Sequence, residues 1–415
     1  MPHQIEGVDF IKERVFSYIA FDMGLGKTFC GLAAISETEA SYCLIVCPAY
    51  LKENWRNEAK VMGFADNEIQ VVYGRKAKYE FKRITICGYD APTLKNILLQ
   101  SFGFDLSIFD EAHYLRGRGS QRSKTILGTD KRVKHTVCRY SRRVIFLSGS
   151  PLLNRPSELW PILQTVFPSI FPNFFQYAYR YCAAYQGNFG LDYSGASNLE
   201  ELKAYLDSFV LRKEKSEVLD LPGRGIKKVI LEKSKAAEKL LKAEADLGID
   251  VEALVNEGVA IGEYATVRRE LGLLKSEVAK DYISDIIDQG EDVVVFTYHK
   301  ELARLIASNA ITGETPVKDR QKNVDTFQSE GGSIVGTYGA MGTGFTLTKS
   351  CNVVLVELEY SPLLIEQAID RLNRIGQTRL VTAHFLLWSE GLENDLFKTL
   401  KKKRKTFDTL FTENK

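Results

Sequence analysis

The chain has 415 residues, 45% apolar and 26% charged, which fits a folded protein too long for one core and close to two domains of about 200 residues. Its formal net charge of +2 provides no global field for a polyanion, so a nucleic acid would have to be held by local basic surface. The seven scattered cysteines form no CxxC pair and no apolar run approaches a membrane span of roughly 18 residues, which argues against a zinc site, a disulfide framework and a membrane location.

In chain order, His3–Ile11 has the spacing of a helix with Ile5, Val8 and Ile11 on one face, and its Gln4 carries an amide able to read an adenine edge. Phe21-Asp22-Met23-Gly24-Leu25-Gly26-Lys27-Thr28 follows. Gly24 and Gly26 let the backbone of this turn approach an anion, with Leu25 between them. Lys27 would reach the β- and γ-phosphates, and the Thr28 hydroxyl would ligate Mg²⁺. Phe21 stands where the full phosphate-loop pattern has glycine, so a glycine-rich helix cap is the competing reading.

Cys43–Cys47, ended by Pro48, reads as a buried parallel strand, and 51–62 as a helix packing through Leu51, Trp55 and Met62. Arg83–Tyr89 and Phe104–Phe109 are two further strands. The second runs into Asp110-Glu111-Ala112-His113, where Asp110 would hold Mg²⁺ and Glu111 would orient and deprotonate the attacking water. The basic stretch 116–143, which includes Arg116, Arg118, Arg122, Lys131, Arg132 and Lys134, is either a solvated face or a phosphate-contacting surface. Val144–Leu147 is a strand leading into Ser148-Gly149-Ser150-Pro151.

The aromatic segment from Trp160 through Phe174, Phe175 and Tyr177 to Tyr185 suits the core of a helical insertion better than a stacking surface for bases. Leu221-Pro222-Gly223 marks the domain boundary. The pattern Val267, Leu271, Leu274, Val278, Tyr282, Ile286 predicts one long amphipathic helix. Strands at 292–296, 334–337 and 352–356 then give the second half its own parallel sheet. After the turn Gly339–Phe345, Gln367, Arg371 and Arg374 are spaced to share one helical face, where two arginines could grip phosphate or join a surface ion network. Lys401–Lys405 is a basic run, open to nucleic acid or to solvent alone.

The order of HQIEGVDFI, DMGLGKT, LIVCPAYLKENW, DEAH, LSGSP, LRKEKSEVLDLP, VVVFTYHKEL, VGTYGAMGTGFTLT and QAIDRLNRIGQ resembles the SWI/SNF-type branch of the superfamily-two helicase-like ATPases. Ser148 and Ser150 stand where that family has threonines, and Asn373 where it has histidine. The resemblance implies an α/β fold of two RecA-like parallel-sheet lobes with helical insertions and an ATP site in the cleft between them. The lobes would be 1–222 (insertion about 155–215) and 223–415 (insertion about 235–289). It implies ATP and Mg²⁺ as cofactors and double-stranded or branched DNA as partner, in a monomeric, DNA-dependent ATPase that translocates without strand separation. The expected compartment is the cytoplasm, or the nucleus in a eukaryote. A DEAH-type RNA helicase and an ATP-binding scaffold are the alternatives.

By the same resemblance Gln4 would read adenine, and Gly24, Leu25, Gly26, Lys27 and Thr28 would hold the phosphates and metal beside Asp110 and Glu111. Arg371 and Arg374 would be arginine fingers, with Gln367 nearby and Gly344 at the moving turn. Pro48, Tyr89, Tyr298, His299 and Thr337 would line the nucleic-acid path.

Overall fold

The computed structural model describes residues 1–73, 78–80, 82–130, 135–149, 155–187, 190–218, 224–249, 251, 262–342 and 344–398. Lys131, Arg132, Lys134, Ser150, Pro151, Leu221–Gly223, Thr343 and the run Lys401–Lys405 lie outside them. The chain divides into two compact units between Val218 and Leu219.

The strands in chain order are β1 Phe16–Phe21, β2 Cys43–Val46, β3 Ile69–Val71, β4 Ile84–Cys87, β5 Phe104–Asp110, β6 Ser141–Leu147, β7 Tyr185–Gly187, β8 Gly190–Asp192, β9 Val210–Lys213, β10 Arg224–Leu231, β11 Val293–Thr297, β12 Ser333–Thr337, β13 Asn352–Leu355 and β14 Val381–Trp388. The first unit is built on a seven-stranded sheet ordered β3-β4-β2-β5-β6-β1-β9, every pair parallel. The second has a five-stranded parallel sheet, β10-β14-β13-β11-β12. The central strands β2, β4 and β11 are buried along their whole length, because helices cover both faces of a parallel sheet. Parallel strands deliver all their C-terminal ends to one edge, and this is what gathers the motif loops.

β1 lies between β6 and the edge strand β9, although the sequence reading assigns no strand there: Ser17 and Tyr18 break the apolar run but are both buried. β14 escapes for the same reason. Its His384 takes the Tyr282 hydroxyl at Nδ1 (2.8 Å), and Nε2 lies 3.2 Å from Asn352 Oδ1.

Four local expectations need correction. In the first helix, Pro2–Lys12, Ile5 is 63% exposed, and His3 and Gly7 join Val8 and Ile11 inside. His3 is drawn in by the Leu25 carbonyl, 3.0 Å from its Nε2. The long helix is two helices, Gly262–Leu273 and Ser276–Asp288, the second buried through Ala279, Ile283 and Ile286 while Val278 faces out. The break lies at Lys275, 1% exposed, whose ammonium donates to Val356 O (2.8 Å), Leu386 O (2.7 Å) and Glu393 (2.6 Å). A buried cation needs that full set of acceptors.

The segment 155–215 is not wholly helical. After the helices Trp160–Val166 and Phe174–Tyr181 it forms the antiparallel hairpin β7–β8 and, past Leu199–Asp207, ends as β9 in the main sheet. Its aromatics are divided: Trp160, Phe171, Phe174, Tyr177 and Tyr181 are core, while Phe175, Tyr179 and Tyr185 are exposed. Lastly, the helix carrying Gln367 ends at Ile369, so Arg371 and Arg374 lie beyond it.

All seven cysteines are buried free thiols. Among the described residues no helix is long and apolar enough to cross a membrane.

Burial, and then the Lys227 charge, pulls the His384 imidazole down to about 4 from its ordinary 6.5. A depressed folded-state value contributes stability above pH 6.5 that is lost as pH falls towards 4. Thermal unfolding of the wild type followed from pH 7 to pH 5 should therefore show a falling midpoint, and His384→Gln should flatten that slope.

Candidate active site

β1 ends at Phe21, and Gly24 (φ +85°) and Gly26 (φ +80°) turn the chain into the helix Lys27–Glu37 through left-handed backbone that glycine adopts without strain. Gly26 has a second reason to lack a side chain: a Cβ there would fall 2.0 Å from the Gln4 amide nitrogen. Gln4 Nε2 in turn donates to Leu25 O (3.3 Å), so the adenine-reading candidate abuts the phosphate-loop candidate. The first amides of the helix have no partner within it, and together with the helix dipole they favour an anion. The Lys27 ammonium curls back over this turn, donating to Phe21 O (2.7 Å) and Asp22 O (3.2 Å).

The far end of the unit fastens the turn. Asp22 N donates to Lys213 O at the end of β9 (3.0 Å), and Lys215 N donates to Asp22 Oδ2 (3.0 Å). This gives the LRKEK stretch a structural task that its sequence does not announce.

β5 brings the second half of the site. Asp110 is in register with Leu147 on β6, and Leu147 with Ile19 on β1, so the acidic pair and the phosphate turn sit two strands apart, about 10 Å. β6 closes the gap, since a Cβ on Gly149 would stand 3.4 Å from Phe21 O and 3.6 Å from Lys27 Nζ. His113 Nδ1 lies 3.3 Å from Ser148 Oγ and 3.2 Å from Glu111 Oε2, tying the acidic turn to the loop after β6.

Asp110 is 7% exposed. Its Oδ2 accepts the Trp55 indole N–H (2.7 Å) and its Oδ1 the Glu111 amide (3.0 Å). Burial, then the neighbouring Glu111 charge, pushes its carboxyl up to about 6 against the pull of the Trp55 bond and Lys27. Glu111 has φ +53°, a conformation non-glycine residues hold only where the surroundings enforce it. Trp55 reads from sequence as a packing residue, and its polar role is invisible without the fold. The Thr28 hydroxyl and the Asp110 carboxylate are hard oxygen donors of the kind Mg²⁺ takes, and each Asp110 oxygen keeps a lone pair beyond its one N–H.

The candidate nucleic-acid residues lie at or just after strand ends. Pro48 is buried just after β2. Tyr89, after β4, turns inward: its hydroxyl donates to Asp110 O (2.7 Å) and its ring stacks on Tyr114 at 5.4 Å. In the second unit, Tyr298 and His299 follow β11, with Tyr298 38% exposed. Thr337 ends β12, its amide on Ile311 O (3.0 Å). A Cβ on Gly344 (φ +85°) would meet nothing within 4 Å among the described residues.

Gln367 and Arg371 are buried, at 3% and 2% exposure. The Arg371 guanidinium donates to Gln367 O (3.2 Å) and Phe345 O (3.3 Å), pinning the glycine-rich turn. Arg374 is more exposed, donating to Asp370 O (3.2 Å) and Thr346 Oγ1 (3.0 Å), and burial lowers its pKa from the ordinary value.

The SNF2-related domain profile matches residues 3–270, and the helicase conserved C-terminal domain profile residues 275–376. Among curated proteins, the mouse (Mus musculus) DNA annealing helicase and endonuclease ZRANB3 is 31% identical over 434 residues, covering 97% of this chain and 40% of that protein. The SWI/SNF-related matrix-associated actin-dependent regulator of chromatin subfamily A-like protein 1 of Xenopus tropicalis is 31% identical over 419 residues, covering 95% and 43%. The chain thus spans less than half the length of these relatives. A solved Sulfolobus solfataricus SWI2/SNF2 ATPase core in complex with dsDNA is similar at 23% identity and a TM-score of 0.46, over 99% of this chain and 92% of that one.

Removing the indole N–H while keeping the aromatic bulk tests the Asp110 cradle. Trp55→Phe should cost about 1–3 kcal/mol in denaturant unfolding, the loss of one buried bond to a charged acceptor.

Proposed function

Because the chain belongs to the SNF2-related family of helicase-like ATPases, we propose that it is an ATP-driven motor translocating on double-stranded or branched DNA without processive strand separation. The observation that carries this reading is the convergence of the Lys27 turn, the Asp110–Glu111 pair and Gly149 on one sheet edge.

Each residue has a task in phosphoryl transfer. Gln4, beside Leu25, would exchange its backbone contact for the adenine edge. Gly24, Leu25 and Gly26 would present amides to the phosphate chain, and Lys27 would leave the Phe21 and Asp22 carbonyls for the β- and γ-phosphates. Thr28 and Asp110 are the residues that would hold Mg²⁺, which when bound neutralises charge on those phosphates. Glu111 would take a proton from the attacking water, with His113 and Ser148 fixing its position.

The second unit would supply Arg374 and Arg371 to the transferring phosphoryl group, with Gln367 and Gly344 shaping the approach. A finger delivered from another body makes hydrolysis depend on the arrangement of the two, which is how turnover becomes motion. DNA would run past Pro48 and Tyr89 on the first unit and Tyr298, His299 and Thr337 on the second. Tyr89 is the member with a direct line to chemistry, through Asp110 O.

Lys27→Ala should abolish ATP turnover. Arg374→Ala should retain nucleotide binding at equilibrium while phosphate release falls by roughly 10³–10⁵. Duplex DNA should stimulate the wild-type ATPase more than single strands or RNA, and the enzyme should displace the third strand of a triplex. Equal stimulation by RNA would sink the DNA-motor reading.

A further inference from the structure

We propose that Arg268 and Glu357 are positioning residues that hold the Tyr298–His299 turn in one pose for the DNA backbone. The inference rests on the DNA-motor reading above and adds two residues to it that no motif marks.

The chain leaves β11 at Thr297 with two successive amides that no strand can accept. Glu357 Oε2 takes both, from Tyr298 N and His299 N, each at 2.9 Å. Its other oxygen lies 2.6 Å from His299 Nδ1. One carboxylate therefore fixes the backbone of both residues and the ring of the second. Glu357 is 3% exposed. Burial alone would raise its pKa, but the His299 contacts outweigh it and hold the carboxyl below its ordinary value. So costly a buried charge serves as a clamp, since each of its oxygens is engaged by the same dipeptide.

The clamp is joined to the helix Gly262–Leu273. A Cβ on Gly272 would fall 2.2 Å from Glu357 Oε1, so the helix reaches the carboxylate only because that position is glycine. Arg268, one turn earlier on the same face, places its guanidinium carbon 4.0 Å from the Tyr298 ring centre and 3.9 Å from that of Tyr360. One of its nitrogens donates to Leu358 O, and Nη1 is sealed from solvent. The guanidinium is thus held by that carbonyl and by its stacking on the two rings, an interaction strengthened by desolvation. Tyr298 keeps 38% of its surface exposed. Its ring is thus fixed by Arg268 and still presents a face to a ligand.

The test is a double-mutant cycle on the full chain, reading both the duplex concentration for half-maximal ATPase and the rate at saturating duplex. Arg268→Met should raise the half-saturating concentration about tenfold while the saturating rate is largely kept. Tyr298→Ala should do the same, and the double variant should lose no more than either single one. Should Arg268→Met lower the thermal midpoint, Arg268→Lys replaces it in the cycle; it keeps the charge but has no plane to lie against the rings, and should lose most of the same affinity. Losses that multiply independently, an unchanged half-saturation, or a loss confined to the saturating rate would overturn the assignment. A wild type indifferent to duplex would instead overturn the motor reading beneath it.

Discussion

A carboxylate buried at the end of a strand is the constraint around which the first unit is arranged. Asp110 sits inside a parallel sheet where charge is disfavoured, and burial and Glu111 both push its pKa upward. The surroundings answer with the Trp55 indole, the back-folded Glu111 amide and the field of Lys27. Two of these answers dictate something else: a helix placed to aim Trp55 and a lysine within reach of the same edge. The left-handed Glu111 backbone is local strain at this site, held where the chain turns from β5 into the DEAH loop.

The second unit solves a similar problem with different residues. Lys275 and Glu357 are both almost fully enclosed, and each satisfies itself against the ends of strands: Lys275 on Val356 and Leu386 carbonyls, Glu357 on the amides after β11. These bonds weld the helical segment 262–288 to the C-terminal edge of the sheet. Arg371 does the same for the glycine-rich turn through Phe345 O. Buried polar groups of this kind specify one arrangement, because a partly satisfied network is worse than none.

Much of this was legible in the residues themselves. Strands such as Cys43–Val46 and, up to Phe296, Val293–Thr297 are apolar runs, and the glycines before Lys27 mark a tight turn before a helix. What misled were positions where a polar residue sits inside a sheet strand. Ser17 and Tyr18 hid β1, and Thr382 and His384 hid β14. Ile5 and Val278 failed in the opposite sense: their spacing suited a core face, but His3 and Ala279 occupy it.

By itself the sequence determined the α/β class and the order of the motif loops, and it named the candidates for phosphate, metal and water, because periodicity and glycine turns act between near neighbours. Only the tertiary structure decided that Trp55 serves Asp110 across 55 positions, that the Tyr89 hydroxyl points inward, and that Lys275, between two helices, reaches Leu386, 111 residues away. Such bonds depend on the register in which remote segments meet, and no local pattern carries that register.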